Sequence, residues 1–250
     1  MTSSDTPSPL LELTDIAVHF GGVKAVDGVT ISLDEGLIYG IMGSNGSGKS
    51  TLLGAVTRLN PLTRGEMKFD GTQFTKVRPH QVAHLGVART FQTVRLIDDR
   101  TVRDNVLLGL DTVSRRRRRE LPDSAVDEVM ERVGITAIQR VRPSELSYGM
   151  QRRVEIARAI VGKPRLLLLD EPTAGMNTAE RDEVSELMRA LQSEGLTQLL
   201  VEHDVAMMVD VCDYLFGMNQ GELIAQGKPA AVVADKAVRE SYLGKQAGDA

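Results

Sequence analysis

The nine residues GSNGSGKST at Gly43–Thr51 constrain this chain more than any other stretch. They match the pattern G-x-x-x-x-G-K-S/T in the context it requires: after LIYGIMG, a continuous apolar run that reads as a strand buried on both faces, and before TLLGAVTRL, which reads as a helix. With glycine near 7% of average usage, chance gives such a match in roughly one chain of this length in a hundred before context is demanded. The glycines let successive backbone N–H groups turn inward around anionic oxygens, the helix start adds partial positive charge, and Lys49 supplies a point charge. Gly43, Ser44, Asn45, Gly46, Ser47, Gly48, Lys49, Ser50 and Thr51 are therefore the expected cradle for a nucleoside triphosphate, with the Ser50 hydroxyl on Mg²⁺. The competing reading is a glycine turn that caps a helix and binds nothing.

The rest of the chain is organised around that strand and helix. At 250 residues it can bury a large core, as one domain or as two lobes sharing a sheet. Residues 1–10, rich in Ser, Thr and Pro, read as a disordered tail. LELTDIAVHF and GVTISLDEG alternate like two antiparallel strands, and GEMKFDGTQF is a further strand-like piece before a helix at RPHQVAHLG. Between about residues 96 and 160 the periodicity turns helical, in TVRDNVLLGLD, SAVDEVMERVGI and YGMQRRVEIARAIV, which predicts a helical lobe. RLLLLDEP and LTQLLVEHD read as strands separated by an amphipathic helix, and CDYLFGMNQGELIAQG as a hairpin turning near Asn219–Gly221. Strand, helix, strand predicts an α/β fold with a largely parallel sheet.

Composition narrows the function classes. Aromatics are 4% of residues and Trp is absent, so little here builds a base-stacking platform, and the net charge of −4 gives no overall pull toward nucleic acid or an anionic membrane. The one local exception is RRRRR at Arg115–Arg119, either a contact for anionic headgroups or a solvated loop between helices. The single Cys212 excludes a disulfide framework and a cysteine-built metal site within one chain. The opening MTSSDTPSPL lacks the features of a signal peptide and no run approaches the length of a membrane span, so the polypeptide is expected in the cytosol.

Further candidates lie downstream. In RLLLLDEP four leucines suit a buried strand, and Asp170 and Glu171 emerge at its carboxyl end, where ligands bind in open α/β sheets. Asp170 suits a Mg²⁺ contact and Glu171 could polarise a water attacking the γ-phosphate; alone, the pair could equally begin a helix cap. His203, ending LLVEHD, either reaches the γ-phosphate from the next strand tip or is structural. In LSYGMQRRVEIARAI, Ser147 and Gly149 open a helix with a hydroxyl and close backbone access, which makes either an anion site or an ordinary N-cap.

In this order, and over nearly the whole chain, these motifs resemble the nucleotide-binding subunit of an ATP-binding-cassette (ABC) transporter, a P-loop NTPase with a mixed sheet, N-terminal antiparallel strands and a helical subdomain. The resemblance implies one nucleotide-binding domain over residues 11–250, its catalytic core formed by 11–95 and 161–250. It identifies Phe20 with the aromatic residue that stacks on adenine, with Val26 beside it among the nucleotide contacts. Gln92, in ARTFQTVRLI, matches the glutamine that touches Mg²⁺ and the attacking water. LSYGM, containing Ser147, Tyr148, Gly149 and Met150, matches the signature that contacts ATP held by a second subunit. Ala174, Gly175, Met176 and Asn177 match the D-loop, and His203 the switch histidine.

The same resemblance implies ATP and Mg²⁺ as ligands, ATP hydrolysis, a second ATPase subunit and membrane permease subunits, with a substrate-binding protein reached through the complex. It implies a peripheral place at the cytoplasmic face and no nucleic-acid partner. ARTFQTVRLI, LSYG, AGMN, VEHD and the terminal YLG look most like the branched-chain amino acid importer group; other cargoes such as urea or exported lipopolysaccharide, or a non-transport role in DNA repair or translation, are the alternatives. Met150 departs from the usual glutamine and cannot donate a hydrogen bond, so weakened nucleotide or interface contacts are expected there.

Overall fold

The computed structural model describes residues 8–243. The chain begins with β1 (Leu11–Phe20), β2 (Val23–Leu33) and β3 (Ile38–Met42), then α1 (Lys49–Val56), β4 (Arg64–Phe69), β5 (Thr72–Gln73), α2 (Pro79–Leu85) and β6 (Val87–Arg89). The helical lobe follows as α3 (Val102–Leu107), α4 (Arg115–Glu120), α5 (Ala125–Arg132) and α6 (Tyr148–Ile160). The chain then returns through β7 (Leu166–Asp170), α7 (Thr178–Ser193), β8 (Thr197–Val201), α8 (Val205–Val211), β9 (Tyr214–Asn219), β10 (Glu222–Gly227), α9 (Pro229–Ala234) and α10 (Lys236–Leu243).

Two sheets result. One is antiparallel, in the order β2-β1-β4-β5; the other runs β10-β9-β3-β8-β7-β6. In the second, β9, β3, β8, β7 and β6 pair in parallel and only β10 runs against its neighbour, closing the predicted hairpin. Both halves of the chain contribute to this sheet.

The fully buried strands divide their side chains between two apolar cores by simple alternation. Leu166 and Leu168 of β7 join Tyr39 and Ile41 of β3 on the side of the antiparallel sheet and α1. Leu167 and Leu169 join Ile38 and Met42 on the side of α6, α7 and the helical lobe. The run of four leucines is thus explained by a strand with a core on each face.

Three expectations are revised. Leu10, assigned to the tail, is 1% exposed and belongs to the core, and its carbonyl accepts the Asp70 N–H at 2.8 Å; residues 1–7 of that tail lie outside the described residues. The five arginines form a short helix rather than a loop. Ser114 caps it by accepting from the Arg117 N–H, Arg116 pairs with Glu120 one turn on, and the Arg117 guanidinium donates to the carbonyls of Gly162 and Lys163. The helical pattern at TVRDNVLLGLD stops at Leu107 as α-helix and tightens into a 3₁₀ turn over Leu108–Thr112. Cys212 is buried, and burial pushes its thiol well up, as befits a packing residue.

Leu10→Ala is expected to lower unfolding stability by about 3 kcal/mol, the usual cost of a buried leucine, read as a shift of the urea midpoint at unchanged slope.

Candidate functional site

Register determines where the site sits. Ile41 pairs with Val201 and Val201 with Asp170, so the carboxyl ends of β3, β8 and β7 are level. The phosphate loop, His203 and Glu171 therefore leave the sheet at one edge.

Two glycines make the loop possible. Gly43 has φ 156° and Gly48 φ 102°; a Cβ at Gly43 would strike the Met218 carbonyl oxygen, and one at Gly48 the Ala25 carbonyl oxygen. Gly48 caps α1, and the loop closes on itself through Ser47 N–H to Ser44 O at 3.1 Å. The buried Lys49 donates from Nζ to Gly43 O at 2.8 Å and Ser44 O at 3.0 Å, which holds its ammonium within the loop. Ser47 is buried, Asn45, Gly46 and Ser50 are exposed, and the Thr51 carbonyl accepts from Asn60. From the other end of the chain, the Tyr242 hydroxyl accepts the Gly43 N–H at 2.8 Å.

The acids of β7 are held in different ways. Asp170 is buried; Oδ1 accepts from Ser50 Oγ at 3.0 Å and Oδ2 from Arg89 Nη2 at 2.8 Å. Glu171 adopts the left-handed conformation at φ 48°, a local strain offset by its N–H bond to Val201 O at 2.9 Å. Its carboxylate faces both remaining candidates: Gln92 Nε2 donates to Oε2 at 2.8 Å, and His203 Nε2 lies 2.7 Å from Oε1. Behind them the buried Glu202 accepts from the N–H and hydroxyl of Thr173 and from the His203 N–H, which fixes both strand tips.

The paired hydroxyl of Ser50 and carboxylate of Asp170 are hard oxygen donors of the kind a magnesium ion takes when phosphates and water complete its octahedron. No cluster of three or more His, Cys, Asp or Glu suited to an all-protein metal cage occurs among the described residues.

The signature candidates lie on the other lobe. Ser147 caps α6, its hydroxyl accepting the Met150 N–H at 3.4 Å, and α6 packs against α3, α5 and β6. Gly149 is buried where a Cβ would come within 2.9 Å of Glu180 Oε1. Glu180 forms the capping box of α7 with Asn177, so signature and D-loop are neighbours within one chain. Ala174 and the exposed Gly175 form the turn before it, and Met176 is core. Met150 is half-buried against the helical lobe. Phe20 is 49% exposed at the end of β1 and has ring surface to offer. Val26, expected beside it, is instead completely buried in the core between the sheets, with no side-chain surface for a nucleotide.

Two arginines were not anticipated. Arg89 clamps Asp170, donates to Thr57 Oγ1 at 3.2 Å and stacks 5.1 Å from the Phe91 ring centroid. Arg152 is 0% exposed and paired with Glu155 at 2.6 Å. Arg152 and Glu155 stand one turn apart on the apolar face of a helix, a signal available in the sequence, since buried charges on one face come as pairs.

A family model described as ABC transporter matches residues 26–174, and one described as Branched-chain amino acid ATP-binding cassette transporter matches residues 222–248. The chain is 35% identical to the high-affinity branched-chain amino acid transport ATP-binding protein BraF of Pseudomonas aeruginosa, covering 95% of this chain and 98% of that protein. It is 34% identical to LivG, of the same description, from Escherichia coli, over the same shares. Among solved structures, an ATP-binding cassette of an ABC transporter in its ADP conformation superposes with a TM-score of 0.86 at 30% identity, covering 95% of this chain and 100% of that one. A dimeric cassette in a post-hydrolysis state, bound to ADP and phosphate, gives 0.75 at 26% identity over 88% and 98%.

Arg89→Met leaves the buried Asp170 carboxylate without its cation and is expected to cost about 3 kcal/mol of unfolding free energy in urea. Asp170→Asn added to that variant should recover at least half of the loss, because the uncompensated charge is removed; no recovery would disprove the clamp.

Proposed function

This chain belongs to the ABC transporter family, and from that premise we propose that it is the ATP-binding and ATP-hydrolysing subunit of a membrane importer for branched-chain or related amino acids. The observation that carries the hydrolytic reading is the Glu171 carboxylate, held between Gln92 and His203 at the strand edge that also bears the phosphate loop, Ser50 and Asp170. The cargo rests on the description of BraF and LivG and on the matched C-terminal segment. Those same matches disfavour a urea or lipopolysaccharide transporter and a non-transport ATPase.

In this reading the loop amides and Lys49 bind the phosphates, with Lys49 exchanging its carbonyl acceptors for phosphate oxygens. Phe20 stacks on the adenine. Ser50 and Asp170, joined by the Gln92 side-chain oxygen, would hold Mg²⁺, which when bound would neutralise charge on the outer phosphates. Glu171 accepts a proton from the attacking water, Gln92 and His203 fix its carboxylate and flank the γ-phosphate, and the products are ADP and phosphate. Ser147 and Gly149, with Tyr148 and Met150 around them, complete the site of a second ATPase chain, as two-fold symmetry places two signatures on two ATPs. The dimeric post-hydrolysis cassette supports that arrangement. The D-loop, Ala174 to Asn177, lies beside the signature and follows it into the interface.

The permease is the natural recipient of the work. A groove of about 350 Å³, lined by Leu59, Ala83, Val87, Phe91, Leu108 and Val113, opens between core and helical lobe next to the Gln92 segment and suits a short cytoplasmic helix of that partner. A substrate-binding protein reaches the chain only through the permease. No described helix is long and apolar enough to cross a membrane, in keeping with a peripheral subunit at the cytoplasmic face.

Glu171→Gln is expected to bind ATP with a Kd within about threefold of the parent while turnover falls by about 100-fold or more, the worth of a general base; parental turnover in that variant refutes the assignment. Affinity purification from native membranes is expected to bring down a polytopic permease, and its consistent absence would overturn the transporter reading.

A further inference from the structure

The side chain at position 148 and the buried arginine one turn later share a target. Arg152 Nη1 donates to Phe91 O at 2.6 Å and to Glu155 Oε2 at 2.6 Å; Nη2 donates to Gln92 O at 2.7 Å and to the Tyr148 hydroxyl at 3.0 Å. Those four bonds use every hydrogen of the two terminal nitrogens. The Tyr148 hydroxyl in turn donates to Gln92 O at 3.2 Å, so this one carbonyl is gripped twice.

Gln92 is thereby held at both ends. Its main chain is bound to the first two turns of α6, and its side chain is bound to Glu171 at 2.8 Å. Ser147, the residue before Tyr148, caps the same helix. A fully buried guanidinium is costly unless its bonds are made, so the arrangement holds as a unit or is lost as one. Burial of Tyr148 does not account for its role, since the residue is 37% exposed while its hydroxyl bonds both the Gln92 carbonyl and Arg152.

We infer that Arg152, fastened by Tyr148 and Glu155, is a positioning residue that joins the Gln92 loop and the start of the signature helix into one rigid piece. Displacement of Gln92, whether by a partner in the adjoining groove or by nucleotide, then carries Ser147 and Gly149 with it. Tyr148 acts on the reaction through Gln92 and not by touching nucleotide. The inference rests on the reading of Gln92 and Glu171 as parts of a hydrolytic site.

Tyr148→Phe keeps the half-exposed ring and removes only the hydroxyl. In the full-length chain, native-state exchange of the Gln92 and Thr93 amides is expected to accelerate by about threefold to tenfold, the worth of one hydrogen bond, while β7 and α7 amides change less than about twofold. The kcat for ATP is expected to fall by about the same factor with KM within about twofold, and the loss to shrink below about 1.5-fold in a Gln92→Ala background, where the strut has nothing left to position. Arg152→Lys, which keeps the charge beside Glu155 and loses the second carbonyl, should move exchange and kcat in the same direction.

Unchanged exchange at residues 92–93 overturns the inference. So does an equal loss of kcat in both backgrounds with a raised KM, the signature of a direct nucleotide contact. Absence of hydrolysis in the parent chain together with accelerated exchange would instead count against the hydrolytic reading and leave the strut in place.

Discussion

Everything at the candidate site depends on the parallel pairing of β3, β8 and β7 in level register, Ile41 to Val201 to Asp170. A slip of one residue on β7 would turn Leu167 and Leu169 into the wrong core and carry Asp170 away from Ser50. Burial on both faces makes such a slip expensive, because every side chain of β7 is enclosed. The apolar core therefore specifies the position of the polar site: chemistry is placed by strand alternation, and the loops after the strands only extend it.

At that edge the functional charges have protein partners. Lys49 is held by two loop carbonyls, Asp170 by Arg89 and Ser50, and Glu171 by Gln92 and His203. Such partners lower the cost of keeping charge in a partly desolvated cleft. In the proposed reading they would also set what binding exchanges: a triphosphate would compete with carbonyls for Lys49, and a cation would share Asp170 with Arg89.

The parts of this design that were legible in the sequence are those governed by local rules. The glycine loop, the acid pair after four leucines, the amphipathic helices and the hairpin at Asn219–Gly221 each follow from spacing within a few residues, and the ordered motifs located Gln92, Glu171 and His203, which the fold brings together. Arg89 and Tyr242 were not legible because their partners lie 81 and 199 residues away, at Asp170 and Gly43; for Arg152 the local pairing with Glu155 was legible and only its reach to the Gln92 carbonyl, 60 residues away, was not. Val26 is hidden for a different reason: alternation of Val29, Ile31 and Leu33 would turn position 26 outward, and a register shift between the Ile16–Val29 and Val18–Val26 pairs brings it into the core. The arginine run misled through composition, since five like charges read as solvated loop while a capping serine and the carbonyls of Gly162 and Lys163 stabilise a helix.

Tyr148 and the departure at Met150 are best understood together. Met150 turns its side chain toward the apolar lobe and contributes only its N–H to the cap of Ser147. Tyr148 directs its hydroxyl to Gln92 within the same chain. Where a glutamine would add a hydrogen-bonding side chain at the helix start, this chain has packing at one position and a strut at the other. The helix start thus retains the exposed Ser147 hydroxyl, while Gly149 lies buried against Glu180 and the neighbouring side chains tie the helix to its own lobe. In the proposed reading, a helix start built this way would transmit position from Gln92 to Ser147 through the Tyr148 and Arg152 bonds.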